Sequence, residues 1–141
     1  MSDLATNIGE EWYTDKSIDG TTVKVGLYND STDGLSDTSN VSDITTEPTG
    51  SAYSRQNSSI ATKQISGDFG FDNISKLEFD VSDSDQTVDH AFIIVNFQSS
   101  VEGQSSSNDN LVAIASLDQS RDLSGLSTLT ISASDLQVVA N

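Results

Sequence analysis

The single histidine of the chain, His90, is the first side chain to consider for catalysis. A base of the serine-hydrolase kind needs a nucleophile on one ring nitrogen and an orienting acid on the other. Serine and aspartate are so common in this sequence that finding them near His90 carries no information. His90 also begins the most continuous apolar run, residues 90–97, which predicts a strand covered on both faces. We therefore interpret His90 as a structural or edge histidine. We therefore predict that the protein is not an enzyme.

Side-chain oxygen atoms could bind a divalent cation just after the first predicted strand. Asn29, Ser31 and Asp33 occupy the first, third and fifth positions of a stretch with Gly34 at the sixth, which is the spacing of a calcium loop. The twelfth position, where such loops carry a bidentate glutamate, is Asn40. A second acidic turn contains Asp80, Asp83 and Asp85. Ca²⁺ or Mg²⁺ is therefore the only cofactor we consider, and two solvated turns are the alternative interpretation.

The charge balance is the strongest signal in the composition. The chain has 22 acidic and 6 basic residues, giving a formal net charge of −16, yet it carries apolar runs such as residues 91–95. A foldable chain this acidic is typical of a protein built for molar salt, where charges are screened over about 3 Å. The same surface repels phosphate backbones, so we expect no nucleic-acid partner.

No stretch approaches the roughly 20 apolar residues that a membrane span needs, so we expect no membrane partner. There is no cysteine, which excludes disulfides and thiol chemistry. The segment 1–5 has neither the basic nor the apolar region of a secretory signal. We therefore expect a protein that is made in the cytoplasm and leaves the cell by lysis or within a particle.

We predict one domain over residues 1–141. Residues 1–18 are predicted to form a short helix and an arm, because Leu4, Ile8 and Trp12 recur with helical spacing. Residues 29–50 form a long polar loop, which we expect to be an arm or surface excursion that contacts a neighbour.

Short strand patterns separated by polar turns account for most of the remaining chain. With almost no helix, they predict an all-β fold, an antiparallel β-sandwich of the jelly-roll kind. Turns are predicted at residues 118–119 and 124–125, and Gly67 and Gly70 interrupt the pattern after residue 65. The predicted strands are residues 21–28, 53–56, 59–65, 76–81, 90–97, 111–117, 126–132 and 136–139.

Several segments resemble a group of small tailed-virus virion proteins described as head-decoration, head-fibre or tail-fibre-like proteins. In that group a "VGL" strand leads through a polar loop to a "GGxYxRQ" segment, and strands of the kinds "HVGIFD", "LLxxGxL" and "VxxGDTLxI" follow. The corresponding segments here are residues 22–28, 47–56, 90–95, 111–117 and 121–131. The chain departs from the group in an elongated loop before Tyr53 and in Ser51 and Ala52 following Gly50.

The resemblance and the acidity together imply a virion protein from a virus of a halophilic archaeon. We expect it on the outside of an icosahedral head, as a cement, turret or spike component. Its expected partners are copies of itself, as a trimer or pentamer, and the major capsid protein or other virion proteins. The alternatives are a tail-tip or fibre-base protein, and a host-surface adhesin that binds glycan or S-layer.

Tyr53, Arg55 and Gln56 are the candidate interface residues, because they match the "YxRQ" part of the resemblance. One hypothesis is that Arg55 forms a bidentate bond with a carboxylate on a neighbouring subunit. The alternative is that Tyr53 packs in the core and Arg55 fixes a loop of its own chain.

Overall fold

The computed structural model describes residues 4–9, 22–65, 68–97 and 109–139. About half of the chain lies in strands, which confirms the predicted all-β class. Among the described residues, the helical ones are residues 7–9, α1 at Asp30–Asp33 and a 3₁₀ turn at Val41–Asp43. The strands are β1 Leu4–Ala5, β2 Thr22–Tyr28, β3 Gln56–Ile65, β4 Asp68–Asn73, β5 Leu77–Asp80, β6 Thr87–Asn96, β7 Asp109–Asp122, β8 Thr128–Ile131 and β9 Val138–Val139.

The strands form curled antiparallel sheets. The larger sheet has seven strands in the order β1-β7-β6-β2-β3-β4-β9, and the smaller sheet consists of β5 and β8. β1 and β9 stand at opposite ends of the larger sheet and nevertheless contact each other, so this sheet curls until its ends meet. The accumulated twist of neighbouring strands produces this kind of curvature.

The main core includes apolar side chains from one face of the large sheet and from the β5–β8 ribbon. Leu77 and Phe79 of β5 are buried and alternate with exposed Glu78 and Asp80, as the sequence pattern predicts. Burying a large apolar side chain contributes about 1.5–3 kcal/mol. Other buried members come from the central strands: Val23, Val25, Leu27, Ala91, Ile93, Ala113 and Ala115.

A second, smaller core covers the opposite face of the large sheet. It consists of Tyr28, Phe92, Ile94, Leu111 and Ile114. β6 therefore alternates between two buried faces, and six consecutive residues of it are buried. This confirms the prediction that the apolar run starting at His90 is covered on both sides.

The predicted N-terminal helix is partly wrong. Leu4 lies in β1, where it pairs with Ile114 of β7, and only residues 7–9 of the described N-terminus are helical. β7 has an edge not used by β6, and the N-terminal segment completes it through a hydrogen bond from Thr6 N to Val112 O of 3.1 Å. Trp12 lies outside the described residues.

Two predicted strand breaks were also wrong. Gly70 lies inside β4, paired with Lys63 on one side and Val139 on the other, so glycine did not end the strand. The predicted turn at residues 118–119 lies within β7 as a bulge. There, residues 117–120 lie opposite the single residue Asp89, because Ser116 pairs with His90 and Arg121 with Val88.

Of the predicted strand at residues 53–56, only Gln56 lies in a strand, at the start of β3.

Candidate functional site

The long polar stretch folds back onto its own sheet. We call residues 29–50 the covering segment, because its Leu35, Val41 and Ile44 pack against the second core. Of the two forms expected for this stretch, an arm or a surface excursion, the structure shows a segment that lies on its own sheet, held there by three apolar residues. Contact between its outer surface and a neighbouring protein stays a prediction.

The residues with calcium-loop spacing shape a one-turn helix. The Asn29 side chain caps the N-terminus of α1 by accepting from Thr32 N at 3.2 Å. Gly34 ends α1 in the left-handed region, with φ of 58°, and donates to Asp30 O at 2.8 Å. Asparagine at the start and glycine at the end thus have a capping role here.

Asp33 ties the start of the covering segment to its far end. Its carboxylate accepts from the backbone amides of Thr45 and Thr46, at 3.0 and 3.2 Å, and from both threonine hydroxyls. Burial alone would raise the pKa of Asp33, but these hydrogen bonds to the charged form outweigh burial, and the net pKa is lowered. The ionised carboxylate therefore stabilises the fold of the segment.

Asp89 of β6 is a second anchor for the covering segment. Its carboxylate accepts from Asp30 N at 2.7 Å, from Ser31 Oγ at 2.6 Å and from Ser31 N at 3.3 Å. It also lies 2.9 Å from His90 Nδ1. Burial raises the pKa of Asp89, but the bonds from Ser31, Asp30 and His90 more than offset that effect and lower it.

Tyr28, a buried residue of β2, joins the polar cluster that Asp30, Ser31, Asp89 and His90 form. Its hydroxyl donates to Asp30 Oδ1 at 2.8 Å, and the same oxygen accepts from Leu35 N at 2.9 Å. Burial, followed by the bond to Asp30, raises the pKa of Tyr28 far above its ordinary value. Tyr28 therefore stays a neutral donor, and its ring lies 5.7 Å from that of His90.

The cluster does not have the geometry of a nucleophile and base. Ser31 Oγ donates to Asp89, whereas a serine nucleophile would have to face the imidazole. The His90 side chain is 3% exposed, and Nε2 has no hydrogen-bond partner among the described residues. These contacts position the covering segment, and they give His90 a packing role.

The candidate interface residues Tyr53 and Arg55 meet at Glu47 of their own chain. Glu47 Oε2 accepts from Tyr53 Oη at 2.8 Å and from Arg55 Nε at 2.9 Å, while Oε1 accepts from a terminal guanidinium nitrogen of Arg55 at 2.8 Å. Arg55 is 32% exposed and Glu47 21%. Hydrogen bonding to Glu47 raises the pKa of Arg55 against the opposing effect of burial. The contact agrees with the hypothesis of a loop fixed within one chain, and a role at a subunit interface stays a prediction.

Tyr53 and Arg55 also hold the strands next to them. Tyr53 Oη accepts from Leu27 N at 3.0 Å, so it supplies an acceptor beyond the last pairing of β2 with β3 at Val25–Gln56. The guanidinium of Arg55 lies 5.3 Å from the ring centroid of Phe92, a cation–π distance. Burial, followed by the charge of Glu47, raises the pKa of Tyr53.

The position of the Phe92 ring explains why β2 has a glycine, Gly26, among its apolar residues. It pairs with Phe92, and a Cβ at this position would lie 2.2 Å from the tip of the Phe92 ring. The ring therefore lies across the space where other residues have a side chain. Phe92 therefore contacts both Gly26 and Arg55.

Of the remaining predicted site residues, Gln56 lies at the start of β3, and Asp80, Asp83 and Asp85 lie at or just after the end of β5. Gln56 donates to Ser54 O at 3.0 Å. Asp83 accepts from Ser51 Oγ at 2.8 Å and from Ala52 N at 3.0 Å, and these bonds lower its pKa. Gly50 fits against Asp83 so closely that a Cβ would lie 2.3 Å from Oδ1.

Asp80 bonds instead to Ser82 Oγ, at 2.6 Å, and this bond lowers the pKa of Asp80. Asp85, which belongs to the same turn, is exposed.

Within the part of the chain that the structure describes, no three His, Cys, Asp or Glu side chains group as around a metal ion. Binding of Ca²⁺ or Mg²⁺ at Asn29, Ser31 and Asp33 or at Asp80, Asp83 and Asp85 stays a prediction. Calorimetry with millimolar calcium in high salt would test it.

Three residues that position the covering segment were missed by the sequence analysis: Glu47, Asp89 and Asn40. Asn40 Oδ1 accepts from Leu111 N at 2.8 Å and from Val41 N at 2.8 Å, and Asn40 Nδ2 donates to Asn110 Oδ1. Asn40 and Asp43 form a capping box around the 3₁₀ turn, a local spacing that could have been recognised. Nothing local singles out Glu47 or Asp89 from the other acids.

No family model, no curated protein and no solved structure matches this chain. The helices among the described residues include none that is long and apolar enough to cross a membrane.

Proposed function

We propose that this chain is a non-enzymatic structural protein of a virion, located on the outside of the icosahedral head of a tailed virus that infects a halophilic archaeon. It acts by adhesion, as a cement, turret or spike component whose added contact area helps the shell resist internal pressure. Its partners are copies of itself, as a trimer or pentamer, and the major capsid protein. In the finer fold assignment, the large sheet and the β5–β8 ribbon form a jelly-roll-like sandwich.

The observation that carries the proposal is that three of the five segments resembling virion proteins contact one another. Gly26 belongs to the "VGL" strand, Phe92 to the strand like "HVGIFD", and Arg55 to the "YxRQ" segment. Phe92 lies across Gly26, Arg55 lies over Phe92, and Tyr53 accepts from the backbone of the first strand. The resemblance therefore follows a set of mutual contacts, which supports a shared structural unit over a coincidence of composition.

The surface charge supports the halophilic part of the proposal. Among the described residues, exposed acids such as Asp37, Glu78, Asp85 and Asp135 lie in segments far apart along the chain. A charge spread in this way suits solubility in concentrated salt better than recognition of one cationic ligand.

Immunogold labelling of virus particles from the source culture, kept in their native salt, tests the proposal. Label over the heads is the expected result. Label at the tail would replace head decoration by the tail-tip or fibre-base role. Particles without label, together with labelled cell envelopes, would contradict a virion role and favour the adhesin.

A further inference from the structure

A groove of about 640 Å³ separates the small sheet from the bulge of β7. Residues 128–132, which include the whole of β8, line the groove together with Asp118 of the bulge and Arg121, the first paired residue after it. Leu126, one of two exposed large apolar side chains among the described residues, also lines it, at 37% exposure. The groove thus runs beside an edge strand and has an apolar part.

Among the described residues, no partner pairs with the backbone groups that β8 presents to this groove. Val81 N donates to Ser127 O at 3.1 Å, which sets the alternation of bonded and non-bonded pairs along the β5–β8 ribbon. The bonded pairs are then Phe79–Leu129 and Leu77–Ile131. Thr128 and Thr130 turn their N–H and C=O groups away from β5. β5 is the only strand that pairs with β8 among the described residues.

The side chains of β8 specify the pattern of a strand that would lie beside it. Leu129 and Ile131 are buried, whereas Thr128 and Thr130 are exposed. Successive side chains of an added strand would therefore alternate between the core side and the solvent side. An extended segment with every second residue apolar could pair with the β8 backbone and place its apolar side chains on the core side. This is the β-augmentation mode of recognition.

Charge decides which extended segment the groove favours. The groove contains the carboxylates of Asp118 and Asp135, and its guanidinium, from Arg121, donates to both oxygens of Asp118 at 3.0 Å. The chain as a whole carries −16. A second copy would bring an equally negative strand, whereas lysine or arginine on the solvent side of a foreign strand would meet opposite charge.

We propose that the free edge of β8 binds an extended segment of another protein in which apolar residues alternate with lysine or arginine. The inference rests on the proposed function in one respect: the segment would belong to the virion protein on which this chain is mounted. The groove and the edge are observed independently of that assignment.

Hydrogen exchange with synthetic peptides tests the groove itself. The probes are an acetylated and amidated (Lys-Val)₄ peptide and its (Glu-Val)₄ counterpart, in the lowest salt at which the protein stays folded. Saturation with the lysine peptide should slow exchange at the Thr128 and Thr130 amides at least about tenfold.

Four results would overturn the inference. Equal protection by the glutamate peptide, or none by either, contradicts the predicted charge or the site. Protection without peptide that grows with protein concentration identifies a second copy as the occupant. Protection without peptide at every concentration means that the same chain already covers β8.

A proline variant separates backbone pairing from side-chain contact. Thr130→Pro removes a donor that faces the groove and keeps the bonds to β5, and proline is tolerated on such an edge. It should abolish lysine-peptide binding, whereas Thr130→Val keeps the N–H and should bind as the parent does. A folded Thr130→Pro protein that binds normally contradicts the inference.

The same variants distinguish this inference from the proposed function. If the Thr130→Val protein is found on the heads by immunogold labelling and the Thr130→Pro protein is not, both the proposed function and the inference are supported. Equal labelling by the two variants supports head decoration and rejects the groove as its attachment site. Absence of all label rejects the virion role, while the peptide result still decides the groove.

Discussion

Glu47 is the side chain on which the covering segment, the turn after it and the central sheet converge. It accepts three hydrogen bonds, from Tyr53 and from two nitrogens of Arg55. Tyr53 also accepts a hydrogen bond from Leu27 N, so the Tyr53 side chain links the Glu47 carboxylate to the backbone of β2. Hydrogen bonds to a partly buried charge contribute more to the free energy of unfolding than an exposed ion pair does.

Replacing Glu47 by glutamine should therefore destabilise the protein. The Glu47→Gln side chain has the same shape, but one of its oxygens becomes a donor facing Tyr53 or Arg55, so we expect a loss of about 1–3 kcal/mol in unfolding free energy. Urea unfolding in molar salt measures it. Glu78→Gln is the matched control, because Glu78 is 53% exposed and pairs with a 67% exposed Lys76. Equal effects of the two variants would contradict the role of Glu47.

Gly26→Ala should be destabilising for a different reason. The new Cβ would occupy space taken by the Phe92 ring, so the ring must shift away, at a cost of about 1–3 kcal/mol. Phe92→Leu in the same chain should recover part of that loss, which a double-mutant cycle of unfolding free energies would detect. Strict additivity of the two changes would show that the contact is not the cause.

At the scale of elements, the covering segment is held by polar anchors at both ends of α1 and by three apolar contacts. Asp33 binds the far end of the segment, and Asp89 binds its start to β6. A segment with few buried apolar side chains depends on such anchors and can open without unfolding of the sheet.

Asp33→Asn should loosen the covering segment while leaving the sheet intact. The amide cannot accept four bonds as the carboxylate does, so exchange at the Thr45 and Thr46 amides should become roughly tenfold faster, with the β6 amides unchanged. Hydrogen exchange read by NMR measures both regions. Asp37→Asn makes the same charge change at an exposed position of the same segment. Faster exchange in that control as well would assign the effect to charge alone.

Acid should release both anchors. The pKa values of Asp33 and Asp89 are lowered in the folded chain, so each carboxylate stabilises the fold fully above its unfolded pKa of about 3.9. That stability is lost as the pH falls through the lowered values. In molar salt the unfolding free energy should therefore drop below about pH 4. The unfolding free energy of the double variant Asp33→Asn/Asp89→Asn should fall less steeply with pH. An unchanged slope would show that Asp33 and Asp89 are not the groups responsible.

At the scale of the whole molecule, self-repulsion of a −16 chain opposes compaction. We predict that dilution from molar to low salt unfolds the protein or dissociates its oligomers, because the Debye length grows from about 3 Å at 1 M to 30 Å at 0.01 M. Circular dichroism and light scattering across a salt series measure the two outcomes. A spectrum and mass that stay constant would contradict dependence on salt.

Charge removal provides the control for that experiment. Asp37, Glu78, Asp85 and Asp135 are exposed, and their replacement by amides changes the formal charge from −16 to −12. The salt concentration at the midpoint of unfolding should fall in this variant. An unchanged midpoint would mean that salt acts by other means than screening.

The sequence predicted most of the strands that have a clear alternating or apolar pattern, such as β5 and β6. It failed where a pattern was ambiguous without its partner strand. Gly70 read as a break, but pairing on both sides keeps it in β4. Leu4 was predicted to be helical, but it lies in a strand because it pairs with Ile114 of β7.

For the candidate site, the sequence identified Tyr53 and Arg55 but not their acceptor. The chain has 22 acidic residues, and local sequence does not tell which of them lies beside a given arginine. Asp89 likewise follows from no local pattern, since its partners Asp30 and Ser31 lie nearly sixty residues away along the chain.

The sequence by itself determined the all-β class, the charge and the strand with two buried faces, because composition and side-chain alternation are properties of the chain alone. Only the tertiary structure decided that residues 29–50 cover their own sheet, that Glu47 joins Tyr53 to Arg55, and that β8 has no second partner strand in the part of the chain that is described. These features depend on contacts between residues distant in sequence, and such contacts form only when the curled sheet brings them together.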